Sequence, residues 1–310
     1  MLSKPNTTGK VKAGGPRNRI RMSFGDRAFT TANYNIVIIF ALLCLIPFIL
    51  VIMVSFTDEA MLLKNGYSLI PEKFSLEAYR FIFSSGSDIL NSYKVSIIVT
   101  AVGSFMSLFM VCMFAYVLSR KSVKYRNVIA FYMYFTMLFG GGLVPYFVLV
   151  TSLGLQNTYW AMIILPLMNA WNVYLMRNFF SSIPDSIFES VKIDGAGEMT
   201  IFLKFAVPLA MPGIATVLLF TVVGYWNDWF TAILFVNKAQ LYPLQAMLRF
   251  IMTNLAQLSM SAQLAATARK LPEESVKMAT MVITIGPIIF VYPFLQKYFV
   301  KGIIIGSVKG

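Results

Sequence analysis

Five consecutive residues, Tyr225-Trp226-Asn227-Asp228-Trp229, bring together aromatic faces, an amide and a carboxylate. Rings cover C–H surface, while amides and carboxylates pair with hydroxyls, so this is chemistry that can hold a polyhydroxylated ligand. Asn169, Trp171, Asn172 and Tyr174 repeat the set. Both groups also have structural duties open to them. Trp and Tyr form belts at a membrane interface, and Asn hydrogen-bonds transmembrane helices together. For any single residue the structural duty weighs more. Groups suited to acid–base or metal chemistry are sparse. There is no histidine, which removes the commonest metal ligand and general base. The 19 methionines form no clustered motif and read as adaptable packing, so neither a metal site nor a catalytic residue is expected.

Hydropathy shows what must position these residues. The chain of 310 residues is 58% hydrophobic and 13% charged, whereas soluble domains carry about 25% charged residues. A mean hydropathy of +0.71 agrees. Six apolar runs are long enough, or nearly so, to cross a bilayer. They lie near Tyr34–Phe56, Tyr93–Leu118, Val128–Val150, Tyr159–Met176, Val207 to Tyr225 or on to Val236, and Val276–Phe299, with a mixed loop holding Arg249, Arg269 and Lys270 before the last. Gly140-Gly141-Gly142 and Pro145 interrupt the third. The expectation is an all-α polytopic membrane bundle of six transmembrane helices, residues 31–310, behind a basic N-terminal arm, residues 1–30. Cys44 and Cys112 sit inside apolar runs and read as small hydrophobes, not as a disulfide framework.

The net charge of +13 suits membrane orientation better than nucleic acid, because much of it lies beside apolar runs. Lys4, Lys10, Lys12, Arg17, Arg19, Arg21 and Arg27 crowd the arm. Arg120, Lys121, Lys124 and Arg126 crowd one short loop. Six spans put both termini on one side, and the positive-inside rule makes that side cytoplasmic. No ionisable residue falls at the centre of a span, which argues against a proton-coupled carrier. A phosphate loop of the G-x-x-x-x-G-K-[ST] type is absent, so any ATP-driven work needs an ATPase on another chain.

Residues 182–208 then fall on the cytoplasmic side. Ser182 and Pro184 suit a helix start, with Ile187, Phe188 and Val191 on one face. Gly195, following Asp194, suits a stop with positive φ. A second short helix is expected over Glu198–Phe205, and Pro208 opens the fifth span. Glu189-Ser190-Val191, three residues, Gly195, nine residues and then Phe205-Ala206-Val207-Pro208 resemble the EAA loop of ABC-importer permeases. That loop reads Glu-Ala-Ala, three residues, Gly, nine residues, Ile-x-Leu-Pro. Glu189, Asp194, Gly195, Ala196 and Pro208 stand in family positions. Ser190 and Val191 replace the alanines, and Phe205 and Val207 replace the Ile and Leu. The Gly-Gly-Leu-Val-Pro-Tyr stretch at 141–146, Tyr225–Trp229 and the ending Gly306-Ser307-Val308-Lys309-Gly310 resemble the second permease of maltose-type carbohydrate importers, in the oligosaccharide subgroup.

The resemblance implies a type I ABC-importer permease fold with a cytoplasmic coupling helix in a bacterial cytoplasmic membrane. It implies a second homologous permease, two ATPase subunits holding ATP and Mg, an extracellular sugar-binding protein and alternating access, with no cofactor on this chain and no nucleic-acid partner. Ile187, Phe188, Glu189, Asp194, Gly195, Ala196 and Pro208 would then couple to the ATPase, Ile187 and Phe188 as knobs for an apolar groove. Val308, Lys309 and Gly310 would reach between the ATPase subunits. Asn169, Asn172, Tyr225, Trp226, Asn227 and Asp228 are candidates for the sugar path. The competing functions are a self-sufficient secondary carrier and a membrane-embedded lipid-modifying enzyme. The scattered carboxylates and missing histidines disfavour the second.

Overall fold

A computed structural model describes residues 24–84, 89–264, 272–286 and 289. The regular elements of the described residues are all helices. The only β pairing among these residues is an isolated bridge between Thr57 and Phe74. The chain divides into two compact units, Met1–Ile49 and Leu50–Gly310. In the first, helix α1 (Phe24–Ser55, continuing into the second unit) takes in residues 24–30, the last part of the expected arm. Its side chains from Ile36 to Ile49 are predominantly apolar and exposed, as suits a lipid-facing helix.

The second unit continues with α2 (Glu59–Asn65) and α3 (Glu77–Ser84), then α4 (Ile89–Ser119), which is central. One face of α4 carries Ser92, Ser96, Thr100, Gly103, Ser104 and Ser107, all buried. Small side chains at this spacing let neighbouring helices approach closely. The neighbours are α8 (Ala170–Ser181) and α12 (Met211–Asn227).

Three expected spans prove to be broken. The third is α5 (Arg126–Leu138) and α6 (Leu143–Ser152), bent by 113° at the glycines, where Gly142 has φ +87°. The fourth is α7 (Tyr159–Ile164) and then α8. Pro166 lies between them, and a proline offers no N–H and clashes with the preceding turn. Asn169 restarts the helix by accepting from Asn172 N at 3.2 Å. The fifth begins later than expected. Residues α10 (Glu198–Ile201), a π turn (Phe202–Ala206) and α11 (Val207–Leu209) form one segment, bent by 82° from α12. The helix after Gly197 therefore runs through Pro208 and does not stop at Phe205. Among the described residues two helices, α1 and α4, are long and apolar enough alone to cross a membrane, or up to four spans if each bent pair counts as one. After α12 come α13 (Phe230–Phe235), within the longer bound of the fifth run, and α14 (Leu244–Leu264), in the stretch expected as a mixed loop. Residues 273–286 are helical, and the remainder of the expected sixth span lies largely outside the described residues.

Candidate functional site

The EAA-like residues form α9 (Asp185–Ile193). Its start differs by one residue from the expectation. Pro184, with ψ 133°, is the cap and not the first helical residue, and Ser182 donates to Phe179 O at 2.7 Å, finishing α8 instead of starting α9. Its end is a Schellman turn. Gly195 N donates to Lys192 O at 3.0 Å, Ala196 N donates to Val191 O at 3.2 Å, and Gly195 takes φ +83°. Val191 and Ala196 both pack on the same core, the apolar contact that accompanies this turn.

The two faces of α9 differ sharply. Inward, Phe188 is 2% exposed, edge-on to Tyr116 of α4 at 6.3 Å. The Arg120 guanidinium lies 4.2 Å from the Phe188 ring centre, a cation–π contact. Ile187 is partly buried on the same core. Phe188 is thus a knob for this chain's own core, and not for a partner's groove. Outward, Glu189 and Ser190 are exposed, and Ile193 is 86% exposed. Met199 and Leu203 add further exposed apolar surface.

Polar ties hold the loop to α4. Lys192 Nζ donates to Glu198 Oε1 at 2.9 Å, and Tyr116 Oη donates to Glu198 Oε2 at 3.2 Å. The Lys192 bond holds the Glu198 carboxyl below its usual range. Lys121 Nζ donates to Asp185 Oδ2 at 2.7 Å and likewise lowers Asp185. Pro208 lies in the segment that continues from Glu198, and lacking an N–H it cannot extend the ladder normally. The adjacent π turn takes up the change, with Val207 N donating to Phe202 O.

Most of the polyhydroxyl-binding candidates are already occupied. Asn172 Nδ2 donates to Thr221 Oγ1 at 3.3 Å, a buried tie between α8 and α12. Asn169 caps α8. Tyr225 Oη donates to Ile163 O, Trp226 Nε1 donates to Thr284 O, and Asp228 Oδ1 accepts from Thr231 N. Asn227 is exposed, and its Oδ1 accepts from Gln245 Nε2 at 3.0 Å. One turn on, the Arg249 guanidinium lies 3.8 Å over the Trp229 ring. Gln245 and Arg249 fall in the stretch expected as a mixed loop, where nothing in the sequence pairs them. On a helix their i, i+4 spacing places them together. Tyr116 and Arg120 were hidden for a different reason: their partner Phe188 is distant in sequence. Val308, Lys309 and Gly310 lie outside the described residues.

Residues 112–305 match the family described as "Binding-protein-dependent transport system inner membrane component". The polygalacturonan/rhamnogalacturonan transport system permease protein YtcP of Bacillus subtilis is 42% identical over 285 residues, covering 92% of this chain and 99% of the relative. Protein LplC of the same organism is 42% identical over 266 residues, covering 86% and 90%. A crystal structure of a bacterial ABC transporter involved in the import of the acidic polysaccharide alginate matches with TM-score 0.73 and 32% identity, over 90% of this chain and 99% of that one. The chain belongs to this family of membrane permeases: it is a transport subunit of an ABC importer, and not an enzyme.

Proposed function

We propose that this family member is one of two homologous permeases in an ATP-driven oligosaccharide importer, and that α9 with α10 is its coupling element. The observation that carries the coupling assignment is the division of α9 into a face locked by Phe188 onto α4 and a face left exposed at Glu189 and Ile193. A helix pinned from inside and stopped by a Schellman turn transmits displacement as a rigid projection. Contact with an ATPase then falls to Glu189 and Ile193. Ile187 and Phe188 hold the projection from within, and Asp194, Gly195, Ala196 and Pro208 set its exit. Val308, Lys309 and Gly310 join that contact in this reading. ATP and Mg belong to the ATPase subunits, and an extracellular binding protein delivers the sugar. Six spans follow if the fourth run and the run after Val276 each cross the bilayer, with both termini cytoplasmic as the Lys and Arg distribution favours.

The relatives named for pectic polymers and for alginate support an oligosaccharide as cargo. Asn227, Gln245, Trp229 and Arg249 are the group best suited to meet it, since they supply amides, a ring and a cation on exposed or half-exposed surface. Arginine over an aromatic ring also suits a carboxylated sugar.

The decisive experiment is Gly195→Asp, read as sugar uptake together with co-purification of the ATPase from membranes holding equal permease. Uptake should fall to background while the spans still insert. Full uptake with normal ATPase association would remove α9 as the coupling element. Orientation is read separately, from Ser122→Cys and Ser75→Cys in a chain lacking Cys44 and Cys112. An impermeant thiol reagent on intact cells should reach the second and not the first.

A further inference from the structure

Beside the start of α9 lies a recess of about 250 Å³ whose lining includes Arg120, Lys121, Arg126, Arg177, Ser182 and Asp185. Four cations face one carboxylate, and that carboxylate is already taken by Lys121 at 2.7 Å. Arg120, Arg126 and Arg177 are all half-buried, and among the described residues none of their guanidiniums has a hydrogen bond or ion pair. The Nε of Arg120 is fully buried without a partner. Its contacts with the Phe188 and Tyr116 rings satisfy the face of the guanidinium and leave its N–H edge unused. Burying polar groups without partners costs free energy, so such an edge points to an acceptor. Helix dipoles account for some of these cations and not for Arg126. A cation beyond α4 or near the end of α8 is favourable, but Arg126 is the first residue of α5, where a positive charge is disfavoured. That same terminus has no side-chain cap, which leaves main-chain N–H groups for an anion.

We propose that this recess binds the phosphodiester of an anionic phospholipid. Forked guanidiniums match phosphate oxygens in pairs, and basic recesses between transmembrane helices are established headgroup sites. The surroundings favour a lipid over a soluble anion. Tyr125 is 61% exposed and Val128 65% exposed, next to Arg126 in the chain, and Val117 is exposed one turn before Arg120. Acyl chains have apolar surface to follow there. Arg120 places the headgroup one side chain from Phe188, and so from α9. The assignment rests on the membrane-spanning reading of α4, α5 and α8, and is independent of the sugar carried.

The test is native mass spectrometry of the assembled transporter released from vesicles of phosphatidylglycerol and phosphatidylcholine in equal amounts. Phosphatidylglycerol should be retained preferentially. The double substitution Arg126→Gln, Arg177→Gln should lower its retention about tenfold or more, as loss of charge-assisted bonds predicts. Lys124→Gln should change nothing, because that amine lies over the Tyr125 ring and does not line the recess. Equal retention of the two lipids in the unaltered complex would overturn the proposal, whatever the variants do. So would insensitivity to the double substitution, or binding of inorganic phosphate alone with no lipid. Retention seen only after the ATPase is stripped would also overturn it, assigning the recess to an acidic side chain of a partner. Failure of an ATPase to assemble with the unaltered permease would instead count against the proposed function, with the lipid ratio still read on the permease.

Discussion

Two helix termini at opposite ends of α4 are finished in opposite ways. At α9 the main chain does the work: two N–H groups fold back through Gly195, and neither is met by a side-chain acceptor. At the start of the 273–286 helix a distant carboxylate does it. Glu59 of α2 is buried and accepts from Glu274 N at 3.0 Å, Ser275 N at 2.9 Å and Ser275 Oγ at 2.7 Å. Tyr67 Oη adds a bond to Glu274 at 2.6 Å. The second arrangement ties segments 216 residues apart into one body. The first ties nothing beyond its own turn and leaves Ile193 outside, as suits a projection that meets another protein. The difference separates a part that holds this chain together from a part that presents it.

The largest effect should come from removing the deep anchor of α9. Phe188→Ala should destabilise the seating of α9 by about 3 kcal/mol. Amide exchange in α9 should then accelerate on the order of a hundredfold, with exchange at Glu274 and Ser275 unchanged. Equal acceleration at both ends would mean that the two are not separate bodies. Next in size, Glu59→Gln should cost about 2 kcal/mol, because a buried three-bond acceptor is replaced by an amide that presents one oxygen. Here the pattern reverses: exchange rises at Ser275, and ATPase co-purification stays normal. Loss of ATPase binding in this variant would break the comparison.

Gly195→Ala should cost about 1 kcal/mol through φ alone, since nothing lies within 4 Å of an added Cβ. Exchange within α9 should rise about fivefold. Acid should act least and on both ends alike. Lys192 holds Glu198 below the ordinary 4.5, and Lys277 followed by Tyr67 holds Glu274 below it. Carboxyls lowered by folding contribute fully above the unfolded value and lose that contribution as pH falls through the folded one. Circular dichroism melts should therefore be flat down to about pH 5 and shift downward below about pH 4. A shift near neutral pH would point to other groups.

Much of the projecting end was legible in the residues because its determinants are local. Asp194-Gly195-Ala196 carries the whole Schellman turn, and Ile187, Phe188 and Val191 carry the inward face. What the residues concealed was direction. A phenylalanine on an amphipathic face fits a partner's groove as well as its own core, and only Tyr116 and Arg120, some 70 residues earlier, decide the matter. The Glu59 tie was illegible for the same reason at greater distance. Span boundaries went wrong where apolar composition masked backbone breaks. Leu165 and Leu167 keep the fourth run hydrophobic across Pro166, so hydropathy passes over the point where α7 ends. The candidate sugar residues were mostly spent on Ile163, Thr221, Thr231 and Thr284, partners that a sequence window cannot see.

A further consequence concerns how this sequence can change through descent. At two places a glycine of one helix receives a ring of another. A Cβ on Gly103 would sit 2.7 Å from Cζ of Tyr225, and one on Gly213 would sit 2.7 Å from Cβ of Phe179. Neither partner can drift alone. A methyl at 213 requires a smaller residue at 179, and a methyl at 103 requires one at 225. These pairs, 34 and 122 positions apart, should therefore substitute together among relatives, while Gly140, whose surroundings are open, varies freely.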